Sequence, residues 1–141
     1  MEERNKRLKA AVRENNWVRV KELLDAGADP DGEGPFEALI FLALLLGHLV
    51  VARFLAEAGA DLNITDDNGW TPLHWAAKTG DPVLIRTMVD NDADLLALDR
   101  DGETPLDVLV KYGHERALEA TRRRYPREYE RWMADKADGF A

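Results

Sequence analysis

The chain has 141 residues, 45% of them apolar and 33% charged, enough to bury one core and too hydrophobic for a disordered polymer. It contains no cysteine, which excludes a disulfide framework, thiol catalysis and cysteine-ligated zinc. Nineteen Lys and Arg against 27 Asp and Glu leave a formal net charge of −8, which argues against nucleic acid as a partner.

Met1 to Lys6 alternates charge with no apolar stretch behind it, so it does not read as a secretory signal, and the expected compartment is cytoplasmic. Leu8 to Asp29, LKAAVRENNWVRVKELLDAGAD, predicts two short helices around Asn15, a residue that tolerates left-handed backbone. Trp17 falls at a helix position expected to be partly or fully buried. Ala38 to Ala52 carries no charge, but its 15 residues fall short of the ~20 that a membrane span needs. With Gly47-His48 inside it, the segment predicts a buried helix pair, and Gly34-Pro35 places the start of its first helix near Pro35. In Thr71 to Gly80, Thr71 caps, Pro72 takes the first helical position and Gly80 closes the helix. Asp81-Pro82 repeats that start for the next helix. Gly102-Glu103-Thr104-Pro105-Leu106 opens a last pair, and Tyr125-Pro126 marks a break. Arg127 to Lys136 then predicts one more helix, with Tyr129 and Trp132 on the face that packs it.

These elements recur. Gly47, Gly80 and Gly113 are 33 residues apart, as are Gly69-Trp70-Thr71-Pro72-Leu73 and its later copy. Gly27-Ala28-Asp29 returns as Gly59-Ala60-Asp61 and then as Asp92-Ala93-Asp94, where Asp92 in place of glycine is expected to cost some stability. The period and these strings resemble the ankyrin repeat family. GWTPLHWAAKTGD is the most specific match, supported by GETPLDVLVKYGH and GHLVVARFLAEAGADLN. The resemblance implies an all-α solenoid of helix–turn–helix units with hairpin-like loops. It places repeats at about 4–31, 32–65, 66–98 and 99–125, the first and last as caps, followed by a C-terminal helix and tail over 126–141. Thr121 and Arg122, where other repeats carry leucine, suit the wet outer face of a terminal repeat.

The second unit departs most. Ala38-Leu39-Ile40-Phe41 stands where the third has Thr71-Pro72-Leu73-His74, and every residue from Ala38 to Leu46 is apolar. Leu39, Leu42 and Leu44 are accounted for as core, refilling the volume left by Ala52 and Ala56. Leu45 and Leu46 are not. The resemblance matches them to variable, exposed positions used in binding, whose equivalents are Arg13-Glu14, Lys78-Thr79 and Lys111-Tyr112. Either they form a functional apolar patch, or the helix is repacked. Trp70 is either an exposed anchor for a partner or packed on the neighbouring loop.

Little else carries chemistry. His48 and His114 sit two repeats apart, too far to share an ion, and His74 resembles the family's structural histidine. There is no serine to serve as a nucleophile. Asp66-Asp67-Asn68-Gly69 and Asp99-Arg100-Asp101-Gly102 lack the ligand spacing of calcium loops and read as turns. Arg116 to Arg131 holds six arginines against three glutamates, suited to solvating the end of the stack or to touching an acidic partner. The reading is therefore a non-catalytic interaction module with no cofactor, metal, small-molecule substrate or membrane. It would bind another protein through the concave face with Leu45, Leu46, Trp70, Lys78, Leu98, Lys111 and Tyr112. The alternative is a homodimer, natural or engineered, pairing through the leucine-rich face.

Overall fold

The computed structural model describes residues 2–32 and 38–139, and among them every regular element is a helix. In chain order these are α1 (Glu2–Arg13), α2 (Trp17–Asp25), α3 (Leu39–Leu45), α4 (Leu49–Glu57), α5 (Pro72–Thr79), α6 (Pro82–Asp90), α7 (Pro105–Lys111), α8 (Glu115–Arg124) and α9 (Pro126–Gly139). Consecutive helices pair, α1 with α2 through α7 with α8. Helices α1, α3, α5 and α7 stack as an inner layer, α2, α4, α6 and α8 as an outer one, and α9 packs on α8. This is an all-α solenoid whose core is continuous between the layers. Leu8, Val12, Leu39, Ile40, Leu55, Leu73, Leu84, Met88 and Leu106 are all fully buried in it.

Local chemistry explains where the helices begin and end. The Thr71 hydroxyl accepts the His74 N–H at 3.3 Å and Thr104 accepts that of Asp107 at 3.2 Å, each followed by proline. Asp81 accepts the N–H groups of Val83 and Leu84 at 3.0 and 3.3 Å. Gly80 closes α5 at φ +73°, and Asn15 and Asp92 adopt the same left-handed conformation at +55° and +75°.

Helix α3 is closed by Gly47 at φ +76°, but its start has none of these devices. Ala38 makes no side-chain cap, and its ψ of 108° keeps it out of the helix. The helix therefore begins at Leu39 and not near Pro35; Gly34 and Pro35 themselves lie outside the described residues. Seven residues with no N-terminal cap hold a helix here because Leu39, Ile40, Ala43 and Leu44 are buried in the core. Leu42 is half-buried, so the three leucines read as core do pack inward.

Two expectations about burial are corrected. Trp17 is 50% exposed, its ring set edge-to-face with that of Phe54 at 6.4 Å. It is the first residue of α2, a place exposed as Pro82 in α6 and Glu115 in α8, though half-buried as Leu49 in α4. Thr121 is buried and not wet, its hydroxyl donating to the Ala117 carbonyl at 2.7 Å; it holds the place of the buried Leu55 and Met88, which face the core in the earlier outer helices. Only Arg122, Arg123 and Arg124 of that terminal turn stay exposed.

Candidate partner-binding face

Side chains that reach from one repeat to the next fix the inner surface. The His74 ring is fully buried; its Nδ1 accepts the Thr71 N–H at 3.1 Å, and its Nε2–H donates to the Glu103 carbonyl at 2.9 Å. The Trp70 indole N–H donates to Asp99 at 2.9 Å, and the Arg100 N–H donates to the Asn68 carbonyl at 3.2 Å. His114 and His48 tie inner-helix ends, donating to the carbonyls of Lys78 at 2.7 Å and Arg13 at 3.3 Å. All three histidines are thus cross-ties between units. The acidic turns are equally committed: Asp66 accepts the N–H groups of Asn68 and Trp70, and Asp99 those of Asp101 and Glu103.

On this frame Leu45 is 70% exposed and Leu46 44% exposed, the repacked alternative being excluded by their positions at the end of α3. Leu45 stands at the edge of a cleft of about 700 Å³. Ala38, Phe41, Leu42, Ile64 and Trp75 give the cleft its apolar surface, with Lys9 and Arg13 of α1 on one side and Asp66 and Asp67 of the following loop on another. Phe41 was legible as a departure, since it occupies the place of His74 and Asp107 and cannot make their hydrogen bonds; Ile64 and Trp75 left no such signal.

The remaining proposed contacts divide. Lys78 is exposed and its ammonium lies 5.3 Å from the Trp75 ring and 5.7 Å from that of Tyr112, so two of these side chains and Trp75 form one group. Lys111 and Tyr112 are exposed beside it, and Leu98, 66% exposed, stands on the loop before Asp99. Trp70 is not an open anchor. It is half-buried, stacked on the His74 ring at 5.9 Å and edge-on to Trp75 at 5.3 Å, so the packed alternative is the one realised.

Three of the six C-terminal arginines are paired. Glu119 takes hydrogen bonds from Arg122 and Arg123, which hold its carboxyl at about 2. Arg124 bonds Asp90 at 3.1 Å, and Asp90 also accepts the Tyr125 hydroxyl at 2.8 Å. Burial first, then that carboxylate, pushes the Tyr125 phenol up to about 12. Asp107 joins α9 to the stack by accepting from Trp132 and Lys136. Among the described residues no group of His, Asp and Glu is placed to hold a metal ion, and no helix is long and apolar enough to cross a membrane.

Comparison with known proteins agrees with this architecture. A family model described as ankyrin repeats, three copies, matches residues 39–120. Human protein phosphatase 1 regulatory subunit 27 is 35% identical over 66 residues, covering 47% of this chain and 40% of that protein. Human cyclin-dependent kinase 4 inhibitor B is 38% identical over 63 residues, 44% of this chain and 46% of its own. Mouse protein phosphatase 1 regulatory subunit 12A is 46% identical over 41 residues, 29% of this chain and 4% of its own. The matches therefore span less than half the length of each of these relatives. Repeats of this kind generally mediate protein–protein interaction. With capped helix pairs, left-handed closures and histidine cross-ties recurring along a family match of this extent, the chain belongs to the ankyrin-repeat family.

Proposed function

We propose that this protein is a non-catalytic module that binds another protein through the concave face formed by its inner helices and loops. We take the repeats to run over about 4–31, 32–65, 66–98 and 99–125, with the outer two as caps and 126–141 as an added helix and tail. The observation that carries the reading is the exposure of Leu45 and Leu46 at a position where the neighbouring inner helices carry Arg13, Lys78 and Lys111. Two adjacent leucines in water are unfavourable unless a partner covers them. The relatives support the same class: their names describe regulatory subunits of a phosphatase and an inhibitor of a kinase, proteins that act on enzymes by binding.

Photo-cross-linking tests it. Leu45→benzoylphenylalanine is expected to capture a discrete protein that Val50→benzoylphenylalanine, on the exposed part of α4, does not. Capture from both positions, or capture unaffected by Leu46→Glu, would refute concave-face binding. Self-association through the same leucines is the competing reading, and light scattering separates the two. A constant mass of 15.9 kDa at all concentrations removes it, whereas a dimer that Leu46→Glu dissociates would replace the proposal.

A further inference from the structure

The charges around the leucine pair point to the chemistry of what covers it, on the footing of the concave-face reading just given. The position two residues before the closing glycine, or before Asn15 in the first helix pair, is Arg13, Leu45, Lys78 and Lys111 in successive inner helices. All four are exposed. In a chain of net charge −8, the inner helices thus present a row of cation, leucine, cation, cation. The hairpin side of the same face carries the opposite sign, with exposed Asp67 and Asp101 at the loop tips and Asp66 at the cleft. Lys78 lies over the Trp75 and Tyr112 rings, and Trp75 lines the cleft, so its ammonium is partly ordered there before a partner arrives.

The spacing of this row selects a secondary structure. Packed helices lie about 8–10 Å apart, so successive members of the row are separated by about that distance. Seven residues of an α-helix rise about 10.5 Å and return to nearly the same face. We propose that the occupant is an amphipathic α-helix of a partner protein with acidic residues in register with Arg13, Lys78 and Lys111 and an apolar residue in register with Leu45. The broad apolar surface of Phe41, Leu42, Ile64 and Trp75 suits the two-residue-wide stripe of such a helix. Basic residues on its other edge would face Asp67 and Asp101.

The test uses labelled, alanine-based helical peptides and the full chain, read by fluorescence anisotropy. One peptide carries a central leucine pair with glutamates about seven residues to either side; a second has lysines in place of those glutamates; a third has serines in place of the leucines. The glutamate peptide is expected to bind at least about tenfold more tightly than either control and to weaken steeply with salt. Leu45→Glu and Lys78→Glu should each weaken it about tenfold or more, with unchanged circular dichroism of the protein. Equal or tighter binding of the lysine peptide would overturn the acidic-helix assignment, while its dependence on Leu45 would leave concave-face binding standing. Failure of all three peptides also overturns this assignment, and the cross-linking result then decides the broader reading by itself.

Discussion

Trp132 donates its indole N–H to Asp107 at 3.1 Å, and Asp107 uses its other oxygen to accept the Thr104 N–H at 2.8 Å. Asp107 holds the place that His74 holds one repeat earlier, where the imidazole caps its own helix and reaches forward to the Glu103 carbonyl. In the last two units one position thus links the repeat to whatever follows: the next loop in one case, the C-terminal helix in the other. Asp107→Ala is expected to cost about 2–3 kcal/mol and to release α9 first. Hydrogen exchange should show protection lost in 126–139 while α5 and α6 keep theirs; uniform loss across all helices would contradict the tether.

The same carboxyl sets an acid limit on stability. Partial burial alone would raise its pKa, but hydrogen bonds from Lys136, the Thr104 N–H and Trp132 outweigh burial and hold it below its ordinary value. A depressed folded-state pKa gives stability that is complete above the unfolded value of about 3.9 and is lost as pH falls through the folded value. The melting temperature should therefore stay level from neutral pH down to about 5 and fall below about 4. Asp107→Asn should lower it at neutral pH and shrink the acid drop; an unchanged drop would assign the acid limit elsewhere.

Exposure separates the leucines of α3. Leu45→Glu with Leu46→Glu should alter unfolding free energy in urea by no more than about 0.5 kcal/mol per site, the usual range for surface changes. Leu44→Ala, one residue away and buried, should cost about 2–4 kcal/mol. Similar losses from both would place Leu45 and Leu46 in the core and remove the basis for partner binding.

His74→Ala should destabilise by about 3 kcal/mol, since it opens a cavity and leaves the Thr71 N–H unpaired. Because its forward bond lands on Glu103, protection should fall in the next loop as well as in α5. A loss confined to α5 would show that the cross-tie carries no coupling between repeats.

Two glycines with nearly identical backbone should respond differently to alanine. Gly47 at φ +76° has open space around a new Cβ, whereas at Gly80, φ +73°, that atom would come within 2.4 Å of the His114 ring. Both substitutions incur the left-handed penalty of about 1–2 kcal/mol. Only Gly80→Ala must also displace His114 from the Lys78 carbonyl, so its melting temperature should fall further. Equal shifts would mean the histidine moves aside at no cost.

The repeat, its period and its helix boundaries were legible along the chain wherever the signal was local. Thr71, Pro72 and Gly80 act within a few residues of one another, so their spacing along the chain is already their spacing in space. For Leu45 and Leu46 the chain left an exposed patch and a repacked helix both open, and only the stacked structure shows them exposed. Tertiary structure decided what depends on neighbours distant in the chain. Trp70 is packed because Asp99 lies 29 residues away in sequence but 2.9 Å from its indole nitrogen. Helix α3 begins at Leu39 because burial and not a cap sets its start. The row from Arg13 to Lys111 belongs to both: its members are read from a single periodic position, but only stacking of the inner helices turns that period into one continuous charged and apolar surface.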